Sequence, residues 1–143
     1  MRGVVRSILV AWAVLLTACD WFDDPSPDTA RLRLEGDPGA VVRLVTSVQF
    51  LAARTPSGEV RVQLLSADTS RRALPFDTVY TIRGYQRFFA EAARADADVA
   101  SFRMRVFLDR VPRFDEGGPL REGAPYRFLY ALNQYFRDVR EVF

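Results

Sequence analysis

Polar and apolar residues alternate along much of this chain. From Ala30 to Leu34, Leu32 and Leu34 fall on one face and Arg31 and Arg33 on the other. A period of two marks a half-buried β-strand. Glu59 to Leu65 repeats it, with Val60, Val62 and Leu64 set against Arg61 and Gln63. Thr78 to Ile82 does so again. Phe102, Met104, Val106 and Leu108 then alternate with Arg103, Arg105 and Phe107. Ala40 to Ala53 is a longer β-branched and aromatic run, predicted to be one strand with a bend near Thr46-Ser47. Tyr126 to Asn133 is large and apolar on both faces. Tyr126, Phe128, Tyr130 and Leu132 point one way, and Leu129, Ala131 and Tyr135 the other. Such a strand is either central in a layered core or part of a contact surface, and central packing is the expectation.

Turns and loops separate these runs. Gly and Pro place turns at Glu35 to Gly39 and Thr55 to Gly58. Ala67 to Arg72, Val111 to Gly118 and Gly123 to Pro125 read as loops. Tyr85 to Ala93 fits two patterns, because Tyr85, Phe88, Phe89 and Ala92 also have helical spacing. The strand reading is preferred. It continues past Gly84 as a bulge and makes Arg94 to Asp98 a hairpin loop. Phe136, Val139 and Phe143 are spaced like a helical turn. About seven short strands with Gly/Pro turns predict an all-β fold, an antiparallel Ig-like β-sandwich. The Ig cysteine pair and core tryptophan are missing, so this expectation rests on pattern alone.

The first nineteen residues break the pattern. Arg2 and Arg6 precede an apolar stretch from Ile8 to Leu16, which ends in Leu16-Thr17-Ala18-Cys19. This is a charged n-region, a short h-region and a small-residue cleavage site. A membrane span needs roughly 20 apolar residues, and this stretch is shorter. The run resembles the lipobox of bacterial lipoproteins. The resemblance implies that residues 1–18 are a signal peptide and that Cys19 becomes the first mature residue. It implies a diacylglycerol on the Cys19 sulfur, with acylation (palmitate-type) as the covalent lipid and no other cofactor. The protein is then expected in the bacterial cell envelope, lipid-anchored to a membrane, with its domain outside the cytoplasm. The choice between inner and outer membrane stays open, although Asp20 resembles a retention signal of some enterobacterial lipoproteins.

Residues 19–28 read as the lipidated cysteine and a tether. Asp20 to Asp28 is acidic, with Pro25 and Pro27 and no periodicity. Trp21 and Phe22 suit the headgroup level of a bilayer. Residues 29–143 form the predicted sandwich domain, long enough for one core. The chain has a single cysteine, and lipidation would consume it, so packing must replace disulfides. Eleven phenylalanines and five tyrosines supply bulky apolar area for that core.

The formal charge is +2. The leader holds two of the arginines and no acid, so the mature part is balanced. A nucleic-acid partner would normally show a basic excess, and none is expected here. All the basic residues are arginines, whose planar fork suits carboxylate pairing across strands.

There is no histidine and no lysine, and Cys19 is committed to lipid. This removes the usual nucleophile–base pairs and Cys/His zinc sites. No catalytic residue and no metal are expected. One acidic loop is a weak candidate: Asp109, Asp115 and Glu116 beside Gly117-Gly118. Paired carboxylates serve glycoside cleavage or calcium, but the DxDxDG rhythm of a calcium loop is missing. The expected function is a non-catalytic binding or scaffolding module for another envelope component, protein or glycan. The alternative is a calcium-dependent binder or small acid-dependent enzyme using that loop. Phe143 is typical of outer-membrane barrel strands, but the arginines on nearly every strand oppose an inserted barrel.

Overall fold

The computed structural model describes residues 26–132, 134–136 and 139–142. The predicted signal peptide, Cys19, Trp21, Phe22, Asn133 and Phe143 lie outside them. Ten strands follow in order: β1 Thr29–Gly36, β2 Val41–Arg54, β3 Val60–Ala73, β4 Phe76–Thr81 and β5 Arg87–Arg94, then β6 Val99–Leu108, β7 Val111–Leu120, β8 Tyr126–Ala131, β9 Gln134–Phe136 and β10 Val139–Val142. Four form one sheet in the order β4-β1-β6-β7, and six form another in the order β10-β3-β2-β5-β8-β9. Neighbouring strands are antiparallel except β10 and β3, which are parallel. The fold is an all-β sandwich.

The period-two residues build the interface between the sheets. Leu32 and Leu34 of β1 and Met104 and Val106 of β6 face Leu44, Phe88, Ala90, Phe128 and Tyr130 of the larger sheet. The rings interlock, with Phe88 and Phe114 at 6.5 and 5.7 Å from Phe128. Each such ring contributes about 1.5–3 kcal/mol by leaving water.

A second apolar cluster lies on the other face of the larger sheet. It holds Val45, Phe50, Val60, Val62, Phe89, Leu129 and Val139. Successive residues of a strand point to opposite faces, so Phe88 and Phe128 serve the first cluster while Phe89 and Leu129 serve the second. The second cluster is covered because the sheet rolls. β9 and β10 are its two edges, yet only two residues separate them in the chain. That link spans at most about 11 Å, and β10 also touches β8. This explains why Tyr126 to Ala131 is apolar on both sides: β8 is central, between β5 and β9.

Several local expectations are corrected. Ala67 to Arg72 is not a loop but the outer half of β3, paired to β2 from Val41 to Thr46; its polar side chains face water. Val111 to Gly118 is strand β7, an edge position where Pro112 and Pro119 need not donate to a neighbour. Gly84 is not a bulge within one strand. With φ of 83° it turns the chain from β4 in one sheet to β5 in the other. Arg94 to Asp98 likewise crosses between sheets instead of closing a hairpin. Of the C-terminal residues spaced like a helical turn, Phe136 belongs to β9 and Val139 to β10, while Phe143 lies outside the described residues. Leu132 leaves the β8 register with φ of 48° and is exposed.

Candidate functional site

The three carboxylates singled out in the sequence are dispersed by the fold. Asp109 sits in the β6–β7 turn and ties down the start of the domain. Its carboxylate accepts from Asp28 N at 3.0 Å, Thr29 N at 2.9 Å and Thr29 Oγ1 at 2.9 Å. Burial pushes the Asp109 carboxyl up, but these bonds outweigh it and hold it below the usual carboxylate range. Asp115 lies along β7 and receives a forked pair from Arg103 at 2.6 and 2.8 Å. That hydrogen bonding lowers its pKa. Glu116 is exposed on the opposite side of β7. The three do not converge on a pocket. Among the described residues no group of three or more His, Cys, Asp or Glu is placed to hold a metal ion.

Arginines pair across strands on the outer face of the smaller sheet. Asp77 of β4 accepts Nε and Nη2 of Arg31, both at 2.7 Å, and Nε of Arg33 at 2.9 Å. The Arg31 bond above all lowers the Asp77 carboxyl to about 2. Arg105 reaches Glu35. The neighbouring Arg71 and Arg72 are also engaged. Arg71 pairs with Asp96, and Arg72 lies 5.2 Å over the Phe76 ring.

A cleft of about 400 Å³ lies between the sheets. It is built on the bend in β2. Ser47 makes that bend: its Oγ accepts from Gln49 N at 3.0 Å and donates to the Ser66 carbonyl. The β2–β3 register shifts at this point, between Thr46 and Phe50. The bulge lies at the recess, which Thr46, Ser47, Gln49 and Asp68 line on one side and Tyr80 and Tyr85 on the other. Thr46 and Ser47 are themselves buried polar residues. Desolvation raises the Tyr80 pKa, against a hydrogen bond with Thr46 and the nearby Arg72. Among these groups only the bend at Thr46-Ser47 was marked in the sequence.

A second recess of about 420 Å³ surrounds Glu91 at the other end. Glu91 is 6% exposed. It accepts Arg127 Nε at 2.7 Å and Arg43 Nη2 at 3.1 Å. Arg127 also donates to the Val139 carbonyl at 3.1 Å, which links β8 to β10. The acid is consumed by its arginines, so this cluster is structural.

The edge strands bear on partner binding. β7 is unpaired on one side, and Arg113 on it lies 4.9 Å over the Tyr135 ring. Arginine and tyrosine are frequent interface anchors, but Pro112, Pro119 and two glycines blunt β7 as a template for an added strand. No known protein family, no curated protein sequence and no solved structure matches this chain.

Proposed function

We propose that the chain is a lipid-anchored, non-catalytic binding module of the bacterial cell envelope. In this reading Cys19 carries the lipid, residues 20–28 are the tether, and the sandwich binds a surface glycan in the Tyr80–Tyr85 cleft. The observation that carries the anchor is the charged, apolar and small-residue run ending at the chain's single cysteine, ten residues before β1. What supports the glycan is the lining of the cleft. Aromatic rings beside a carboxylate, an amide and hydroxyls match a polyhydroxylated ligand, which offers apolar faces and many hydroxyl donors and acceptors.

Two measurements test the two parts separately. Cells fed an alkyne-bearing fatty acid should label the wild type, and Cys19→Ser should abolish the label and leave an unprocessed precursor. Isothermal titration with solubilised cell-wall glycan fragments should give heat for the wild type and little for Tyr85→Ala or Asp68→Ala. No heat with the wild type refutes the glycan assignment while leaving the anchor untouched.

A further inference from the structure

The exposed apolar side chains of this sandwich are not scattered. The large ones among the described residues are Leu51, Leu65, Val79, Tyr85, Val111, Leu132 and Tyr135. The tether enters the domain at Asp28. Its carbonyl accepts from Ile82 N at 2.9 Å and Arg83 N at 3.1 Å, and the Thr29 carbonyl accepts from Asp109 N at 3.1 Å. The entry point therefore sits between the β4–β5 connection and the β6–β7 turn.

The apolar residues gather around that point. Tyr85 lies in the β4–β5 connection, with its N–H on the Ile82 carbonyl at 3.0 Å. Leu132 donates its N–H to Gln86 at 3.0 Å. Leu65, Tyr85 and Leu132 line one shallow groove of about 400 Å³. Val111 directly follows the Asp109-Arg110 turn, and Tyr135 lies under Arg113 of the same hairpin. Val79 shares a recess with Thr29 and Arg110. Leu51 follows Phe50, whose carbonyl accepts from Arg87. The opposite end, formed by Asp37 to Ala40, Ala95 to Asp98 and Arg121 to Pro125, contributes none of the seven.

We infer that this tether-proximal end lies against a lipid bilayer, with Val111, Leu132 and Leu65 at the headgroup level and Tyr85, which lines both this groove and the neighbouring cleft, left at the rim of the contact. The inference rests on the lipid anchor proposed above. The length of chain outside the domain selects the occupant. Eight residues lie between Cys19 and Asp28, so the nine steps from one to the other span at most about 32 Å even when fully extended. β1 alone carries the chain eight residues, about 26 Å, away from the entry point. Turning the far end to the bilayer would use nearly the whole tether to run back along the domain. The near end reaches the surface without that. Arg110 is exposed beside the entry point and complements anionic headgroups, and the exposed Arg83 there is shared with Asp28 at 3.6 Å. The face is apolar but discontinuous, as suits contact with the interface and not a span.

The test uses the full chain purified from bacterial membranes. The thiol of Cys19 is acylated in this reading, so one introduced cysteine is the only labelling site. Leu132→Cys, Val111→Cys and, at the far end, Ala97→Cys are each coupled to an environment-sensitive fluorophore. All three positions are exposed, and circular dichroism confirms that each variant folds. In vesicles of phosphatidylethanolamine and phosphatidylglycerol, iodide should quench the labels at 132 and 111 severalfold less than the label at 97. Nitroxide on the lipid headgroups should quench in the reverse order. Equal iodide access at all three positions overturns the orientation. So does shielding at 132 that vanishes when the protein is diluted in excess lipid, because the occupant is then a second copy. An unacylated Cys19 by mass spectrometry, or release from vesicles by salt, defeats the anchor itself and is read independently of the quenching.

Discussion

Replacing Glu91 is expected to destabilise the domain more than replacing any other acid described here. The carboxylate is almost fully buried and bridges two arginines on neighbouring strands. Their worth differs. Arg43 is half exposed (50%) while Arg127 is 22% exposed. The Arg43 pair behaves as a surface bridge, about 0.2–1 kcal/mol. The Arg127 bond is charge-assisted and sheltered, about 1.5–3 kcal/mol. Glu91→Leu should therefore cost about 2–4 kcal/mol, below the 3–5 kcal/mol of a fully buried pair because both arginines regain some water. Arg127 would keep its bond to the Val139 carbonyl.

The pairing makes a sharper claim than the single loss. Arg127→Leu alone leaves Glu91 buried with only the half-exposed Arg43, and should cost a similar amount. The double variant Glu91→Leu/Arg127→Leu removes both charges and places two apolar groups side by side across β5 and β8, where these residues are register partners. It should cost less than the two singles combined, with a coupling of about 1–3 kcal/mol. Urea unfolding followed by far-ultraviolet circular dichroism measures all four proteins. Additive losses, or a Glu91→Leu protein as stable as the wild type, would refute the claim that this pair holds β5 to β8.

Three further outcomes follow from other places in the fold. Gly36→Ala would bring a Cβ to 2.3 Å from the Ser101 carbonyl and 2.9 Å from Leu74 Cδ1, so it should cost about 1–3 kcal/mol as an overpacked backbone contact, read as a lowered urea midpoint. Asp77 contributes stability that is full above the ordinary carboxylate pKa of 3.8 and lost as pH falls toward about 2. Between those values the melting temperature should drop, and Asp77→Asn should flatten that drop; the contribution is on the order of 1 kcal/mol because the pair is partly solvated. A chain ending at Leu132 loses Val139 and Phe136 from the second apolar cluster and uncovers Phe50, Phe89 and Leu129. It should bind a hydrophobic dye and aggregate where the full chain does not.

The inner faces were legible because one rule governs them. Leu32, Leu34, Met104, Val106 and Leu108 are all buried, as the alternation requires. Failures came where composition and position disagree. β7 carries Pro112, Gly117, Gly118 and Pro119, which mark a loop in isolation. A proline lacks only an N–H, however, and an edge strand has one side where none is needed. The outer half of β3 looked like a loop because neither of its faces holds a run of apolar groups. Its ladder to β2 supplies the order instead.

The candidate cleft was largely illegible for a different reason. Its groups come from four separate stretches, around Thr46, Asp68, Tyr80 and Tyr85, and only the topology brings them together. Ser47 held the one available signal, as a small polar residue in a β-branched run where a strand bends. Glu91 carried a comparable signal that went unread. A lone acid inside the apolar run Phe88 to Ala93 must either be exposed or find a cation, and Arg127 is the nearest arginine on the strand that pairs with it. A charge inside an apolar strand thus points to the register of its neighbour. Here that register also sets the roll. Arg127 binds Glu91 on one side and the Val139 carbonyl on the other, so the arginine that joins β8 to β5 also holds the far edge of the sheet.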